Sequence, residues 1–305
     1  MNASGVSEQA GRRPRRARAR GRAISTTIPA RHPDAVAGEA EELRCALVDD
    51  RPPLPSDWSA ARTFLWRAML KIKHVPEQLF DVTMFPVIFL LMFTYLFGGA
   101  LAGSTGAYLQ DVLPGILAMT VAMITMYTGL TINRDIEKGV HDRFRSLPVW
   151  RPAPLIGALM ADVVRYSLGS TVILVLGLAL GFRPQAGPGG VLAAVALMLV
   201  FCFSLSWIWT LLGLRMRSEN ALMGVSMMVL FPLTFVSNVF VPVETLPGWL
   251  QAIVDVNPIT ILVRAMRGLM HGGAATGDLA LVLAISAGLV AVFAPLTVRA
   301  YQRHA

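Results

Sequence analysis

Charge is scarce: 15% of the 305 residues are Asp, Glu, Lys or Arg, against about 25% in a soluble domain, which excludes an ordinary water-soluble enzyme or binding module. Lysine occurs only as Lys71, Lys73 and Lys138, and no GxxxxGK followed by Ser or Thr is present. The chain therefore has no P-loop with which to hydrolyse ATP. HExxH and the GxSxG nucleophile elbow are missing too, which removes two common hydrolase chemistries. The two cysteines, Cys45 and Cys202, fall in a basic tail and inside an apolar run, and are expected to be free thiols. His32, His74, His141, His271 and His304 show no metal-ligand spacing, so no metal site is expected. The acids beyond the tail, among them Asp111, Asp135, Asp162, Asp255 and Asp278, fall in or beside loops in this reading. No ionisable group is expected in mid-membrane, which counts against a proton-coupled carrier.

What fills the chain instead is apolar sequence, 54% of all residues. Windows near the roughly 20 residues that cross a bilayer run over 82–103, 112–132, 163–182, 190–214, 221–241 and 279–298. The expected fold is all-α, a polytopic membrane protein with six transmembrane helices. The net charge of +8 would suit nucleic acid, but 24 of the 27 basic residues lie on one side if six spans alternate. The bias is topological, places both termini in the cytoplasm of a cell-membrane protein, and predicts no nucleic-acid partner.

Residues 1–55 are rich in Arg, Ala and Pro without apolar periodicity, and read as a disordered arm resting on anionic lipid. Trp58, Leu65, Met69, Ile72 and Val75 then form one stripe opposed by Arg67, Lys71 and His74, as in a helix lying flat at a membrane surface. Gly99 with Gly103, and Gly177 with Gly181, have the spacing of close helix packing. Ser104 to Asp111 holds no Lys or Arg and reads as an outer loop. Thr120, Thr125, Thr128 and Thr131 either line a polar path or bond back to their own helix. Arg165 is expected to snorkel toward headgroups, and Trp207 with Trp209 to form part of an aromatic belt. Pro232 predicts a kink, and Asn238 a buried amide that ties helices together. Between 242 and 273, Pro247 and Pro258 break short apolar stretches into helices expected to dip into the outer leaflet and return. There Arg264 and Arg267, one turn apart, would meet outer headgroups or would simply satisfy Asp255 or water.

Between the second and third runs lies a charged island, NRDIEKGVHDRFRSLPVWR at 133–151. A helix over 137–147 would put Val140, Phe144 and Leu147 on one face, ended by Pro148. Such a helix either anchors a loop at the bilayer or fits a groove on a soluble partner. Three classes compete: a membrane subunit driven by a separate motor, a secondary transporter and an intramembrane enzyme. The missing acids weaken the second and the missing nucleophile, base and metal signatures the third. Only the first gives the island a task.

Four segments carry a resemblance: FDVTMFPVIFLLMFTYLFGGAL at 80–101, LPGI at 113–116, INRDIEKGVHDRFRSLPVWRPAPLIGALMADVVR at 132–165 and FVSNVFVPVETLPGWLQAIVDVNPITILVRAMRGL at 235–269. From about Trp58 to the C-terminus the chain resembles permeases of ATP-binding-cassette exporters of the second type, in particular the daunorubicin and doxorubicin resistance group. The resemblance implies a six-span subunit that dimerises, as a homodimer or with a second permease, and binds separate ABC ATPase subunits holding ATP and Mg. It places a coupling helix on Glu137, Gly139, Asp142, Arg143, Phe144, Arg145, Ser146 and Pro148. It implies a connecting helix at 58–75 and an outer re-entrant region at 242–273. A small hydrophobic or amphiphilic cargo would suit a wall of Met119, Met123, Met126, Met227, Met228 and Phe231, with Asn238 nearby, because Met adapts its shape. Lipid-facing packing explains the same residues, and a lipid or cell-wall glycoconjugate would also be a compatible cargo.

Overall fold

The computed structural model describes Glu42, Arg62, Thr63, Trp66, Leu70, Met84 and residues 86–139, 153–241, 243–273 and 275–304. The chain divides into two units, Met1–Pro53 and Leu54–Ala305, and in the first only Glu42 is described. In the second every element among the described residues is helical. Arg62, Thr63, Trp66 and Leu70, on the expected interfacial helix, are helical; the residues of the apolar stripe itself lie outside the described residues.

The first apolar helix, α1, covers Pro86–Ala100, with a π-helical turn at Phe93–Phe97. Gly103, at φ 71°, and Ser104 then reverse the chain, and the Ser104 hydroxyl accepts from the Ala107 N–H at the start of α2, Thr105–Ile124. The expected outer loop over 104–111 is therefore wrong: an N-cap starts the helix at once. Helix α2 continues into α3, Met126–Glu137, making a rod of 33 residues. It tightens at Thr125, whose backbone N–H is shared between the Val121 and Ala122 carbonyls at 3.2 Å each and whose hydroxyl donates to the Ala122 carbonyl at 2.6 Å.

The remaining helices are α4 at Ala153–Ala179, α5 at Gly187–Arg215, α6 at Glu219–Phe235, α7 at Gly248–Val256, α8 at Pro258–His271 and α9 at Thr276–His304. Four bodies are long and apolar enough to cross a membrane, namely the α2–α3 rod, α4, α5 and α9; α1 and α6 are shorter apolar helices. The window expected to run to 241 stops at Phe235, because Pro232 removes a backbone donor just before the end. Pro247 caps α7 and Pro258 opens α8, where Asn257 Oδ1 accepts from the Ile259 N–H.

Helix α5 packs along α3, α8 and α9, while α2 packs against α4 and α8. The contact of α3 with α5 is close. A Cβ on Gly129 would lie 2.3 Å from the Trp209 carbonyl oxygen, and one on Gly213 2.4 Å from that of Gly129. Of the glycine pairs singled out in the sequence only Gly177 packs closely, where a Cβ would lie 2.5 Å from the Leu113 side chain of α2, while Gly99, Gly103 and Gly181 face open space. Trp207 and Trp209 are not an aromatic belt either. Both are buried, Trp209 in the main core and Trp207 in a smaller cluster with Ile132, Leu155 and Tyr301.

Arg165 and Asp162 overturn two expectations together. They sit inside α4, 8% and 4% exposed, with Arg165 Nη1 2.7 Å from Asp162 Oδ1, close enough for an ion pair although the alignment falls short of a hydrogen bond. Arg165 does not snorkel, and an acid does lie within a helix of spanning length. Each pays for the other's burial from three residues away on the same helix.

Candidate functional site

Three elements, α1, the α2–α3 rod and α6, border a half-open cavity of about 560 Å³. Met119 and Met123 reach it from α2, Met126 from α3, Met227 and Phe231 from α6. Those five were picked out from the sequence as a possible wall. Met228 instead points outward, 79% exposed. Asn238 lies off the cavity, in the turn after α6, where its side-chain carbonyl has no partner.

Periodicity did not single out Phe89 of α1, Tyr127 of α3 or Phe235 of α6, which also face this space. The available signal was the density of Phe in 85–97. Phe231 stacks on Phe235 with ring centroids 4.2 Å apart, and Phe93 on Phe240 at 4.2 Å. Phe235 and Phe240, at 5.4 Å, join the two pairs. Among the described residues, Thr120 and Tyr127 bring the only hydroxyls to the lining. Such a wall suits a flat or aromatic apolar body and offers little to a highly polar one.

The second threonine, Thr125, back-bonds as the commoner of its two readings holds, and so does Thr131, to the Tyr127 carbonyl at 2.8 Å. Thr128 differs: its hydroxyl lies 3.2 Å from the Tyr166 hydroxyl across the α3–α4 contact.

After Phe235 the backbone leaves the helix, and side chains from elsewhere take up its carbonyls. Asn257 Nδ2 donates to the carbonyls of Leu233 and Val236, at 2.8 and 2.6 Å, and Tyr108 donates to that of Phe240 at 2.9 Å. Arg267 donates to Asn238 O and Asp111 O, both at 2.8 Å. Burial pushes its guanidinium below the ordinary value, and the Asp111 carboxylate pulls the other way. Arg264 grips Asp278 with two bonds of 2.8 and 2.9 Å, and lies 3.7 Å from Asp255. The two arginines thus serve protein groups and do not point together at headgroups. His271 completes the pattern: Pro114 leaves the Gln110 carbonyl without its helical donor, and the His271 ring stands 3.1 Å from it.

Of the expected coupling residues, Glu137 closes α3 instead of opening a new helix, and Gly139 turns the chain at φ 64°. Asp142, Arg143, Phe144, Arg145, Ser146 and Pro148 lie outside the described residues. The end of α3 just before them is well defined. Asn133 Nδ2 donates to the carbonyls of Gly213 and Met216, at 3.0 and 2.7 Å, and Arg134 pairs with Glu219. Neither link was foreseen.

Long apolar helices, a buried ion pair and an apolar cleft define a multi-pass membrane protein. Residues 59–271 match the ABC-2 type transporter model. The chain is 53% identical over 262 residues to a daunorubicin resistance ABC transporter permease of Streptomyces coeruleorubidus, covering 86% of this chain and 93% of that one. It is 24% identical over 258 residues to a probable doxorubicin resistance ABC transporter permease of Mycobacterium tuberculosis (82% and 93%), and 27% identical over 221 residues to an inner membrane transport permease of Escherichia coli (68% and 80%). The chain belongs to the ABC-2 type transporter family. It is the transmembrane permease subunit of an ABC transporter, a kind of subunit that has no ATPase site of its own and works with an ATP-binding one.

Proposed function

We propose that this permease exports a flat, hydrophobic or amphiphilic drug, with the cavity between α1, α2–α3 and α6 on the path. The cavity carries the reading: about 560 Å³ lined by Met, Phe and two hydroxyls is the size and chemistry of a small aromatic ligand's pocket. The relative named for daunorubicin resistance makes an anthracycline the first compound to try. Met119, Met123, Met126, Met227 and Phe231 form the wall. Asn238 joins this reading only indirectly, through the turn that holds Phe240.

In this arrangement α1 and α6 complete six spans, both termini and residues 140–152 face the cytoplasm of the cell membrane, and α7 and α8 form the re-entrant outer layer. The segment with Asp142, Arg143 and Phe144 docks on the ATP-binding subunit, which holds ATP and Mg. Two permease chains, identical or paired, line the complete path, and lipid covers the remaining apolar faces.

The test is daunorubicin retention in cells that express the permease with its ATP-binding subunit. Retention should fall against cells carrying the permease with an ATP-binding subunit unable to hydrolyse ATP. Equal retention in the two would remove the drug-export reading.

A further inference from the structure

We propose that Asn133 and Arg134 are transmission residues: they make the end of α3, the last turn of α5 and the start of α6 move as one body. The inference rests on residues 140–152 being where the ATP-binding subunit pushes.

Thr125, Gly129 and Asn133 repeat every four residues along one face of α3. Each meets α5. Thr125 accepts from Trp209, Gly129 lies against the Trp209 backbone, and Asn133 donates to Gly213 and Met216. Helix α5 ends at Arg215, so the last carbonyls lack helical donors. The Asn133 amide, 2% exposed, supplies one from a different helix to Gly213, and donates to the Met216 carbonyl just past the helix end as well. An aspartate there would offer no N–H at all.

The next residue holds the other side of the same turn. Arg134 pairs with Glu219 in the first turn of α6, and only residues 216–218 separate α5 from α6. The two side chains are 41% and 25% exposed, so the pair adds little stability. What it adds is registry: the start of α6 follows the end of α3.

Helix α6 carries Met227, Phe231 and Phe235, one wall of the cavity, while α2 carries Met119 and Met123. The tightened turn at Thr125 lies between α2 and the α3–α5–α6 body. A displacement at the end of α3 then shifts α6 against α2 and reshapes the cavity.

The experiment uses the full-length permease with its ATP-binding subunit in vesicles, in a Cys45→Ser background, with nitroxide labels on Gly106→Cys of α2 and Met228→Cys of α6. Both sites are exposed. Distances are compared without nucleotide and with ATP trapped. The wild-type background should show a nucleotide-dependent distance. Arg134→Glu should cut its occupancy about 2- to 30-fold, Arg134→Glu with Glu219→Arg should restore it, and Asn133→Asp should reduce it. A wild-type distance that ignores nucleotide, or an Arg134→Glu shift of full size, would overturn the proposal. The readout needs no transported compound, so a failed daunorubicin test leaves it standing or falling by itself.

Discussion

Trp209 donates its indole N–H to the hydroxyl of Thr125 at 2.9 Å, from the last third of α5 to the tightened turn of the α2–α3 rod. Trp209→Phe keeps the packing and loses the bond, which between membrane helices is worth about 0.6 kcal/mol and at most about 1.7. Gly129→Ala should cost more, about 1–3 kcal/mol, because its methyl would press on the Trp209 carbonyl 2.3 Å away. Thermal unfolding of the purified protein should rank wild type above Trp209→Phe above Gly129→Ala, with Gly99→Ala unchanged. An unshifted midpoint for Gly129→Ala would deny the close α3–α5 contact.

The Asp162–Arg165 pair makes a sign prediction. Removing one partner leaves a charge buried without its counter-ion, at about 3–5 kcal/mol, whereas replacing both with apolar residues is often close to neutral. Asp162→Leu and Arg165→Met should each lower the yield and unfolding temperature of folded protein sharply. The double substitution should recover most of the loss. Additive losses would mean that the two charges do not pair.

Much of the architecture was legible because a spanning helix announces itself by composition. The runs around 112–132, 190–214 and 279–298 needed only a count of apolar residues, and Pro247 and Pro258 marked the breaks around α7. The ends were less legible, since they depend on single capping groups. Ser104 turned an expected loop into a first turn, and α6 stopped early after Pro232. Pairings across the fold were invisible. Asn133 beside Gly213 and Arg267 beside Asn238 are separated by 80 and 29 residues, and one amide or charge looks the same in sequence whatever it meets; only the Asp162–Arg165 pair, three residues apart, lay within reach of helical spacing. The Met and Phe positions of α2, α3 and α6 were picked on chemistry, and the fold brings five of them to one cavity.

Arg267 should be irreplaceable where Arg264 is not. The first spans carbonyls of α2 and of the turn after α6 with separate nitrogens, a task for a planar fork that a lysine ammonium performs poorly. Arg267→Lys should destabilise by about 1–3 kcal/mol. Arg264→Lys, partly exposed and paired with Asp278, should cost about 0–1 kcal/mol. Unfolding midpoints of the two variants decide the matter, and equal shifts would remove the special role of Arg267.

The six-span arrangement predicts opposite accessibility for two exposed capping regions. Gly106→Cys, in the first turn of α2, should react with a membrane-impermeant maleimide on intact cells. Ser218→Cys, at the start of α6, should react only after permeabilisation. The same side for both would break the alternation of α3, α4 and α5 between them.

The cavity prediction separates binding from drive. Phe231 stacks on Phe235 at 4.2 Å and faces the cavity, so Phe231→Ala removes an aromatic surface without touching Asn133, Arg134 or Glu219. Stacking of this kind is worth about 0.5–1.5 kcal/mol beyond area, and the lost apolar contact adds to it. Daunorubicin transport by Phe231→Ala in vesicles should show a KM raised by about 3- to 30-fold while ATP turnover without drug stays at the wild-type rate. Met123→Trp, which fills the same space from α2, should lower maximal transport of the drug and spare smaller apolar compounds. If Phe231→Ala instead lost ATP turnover with KM unchanged, the side chain would serve the motion of α6 and not the binding of cargo, which would bind elsewhere.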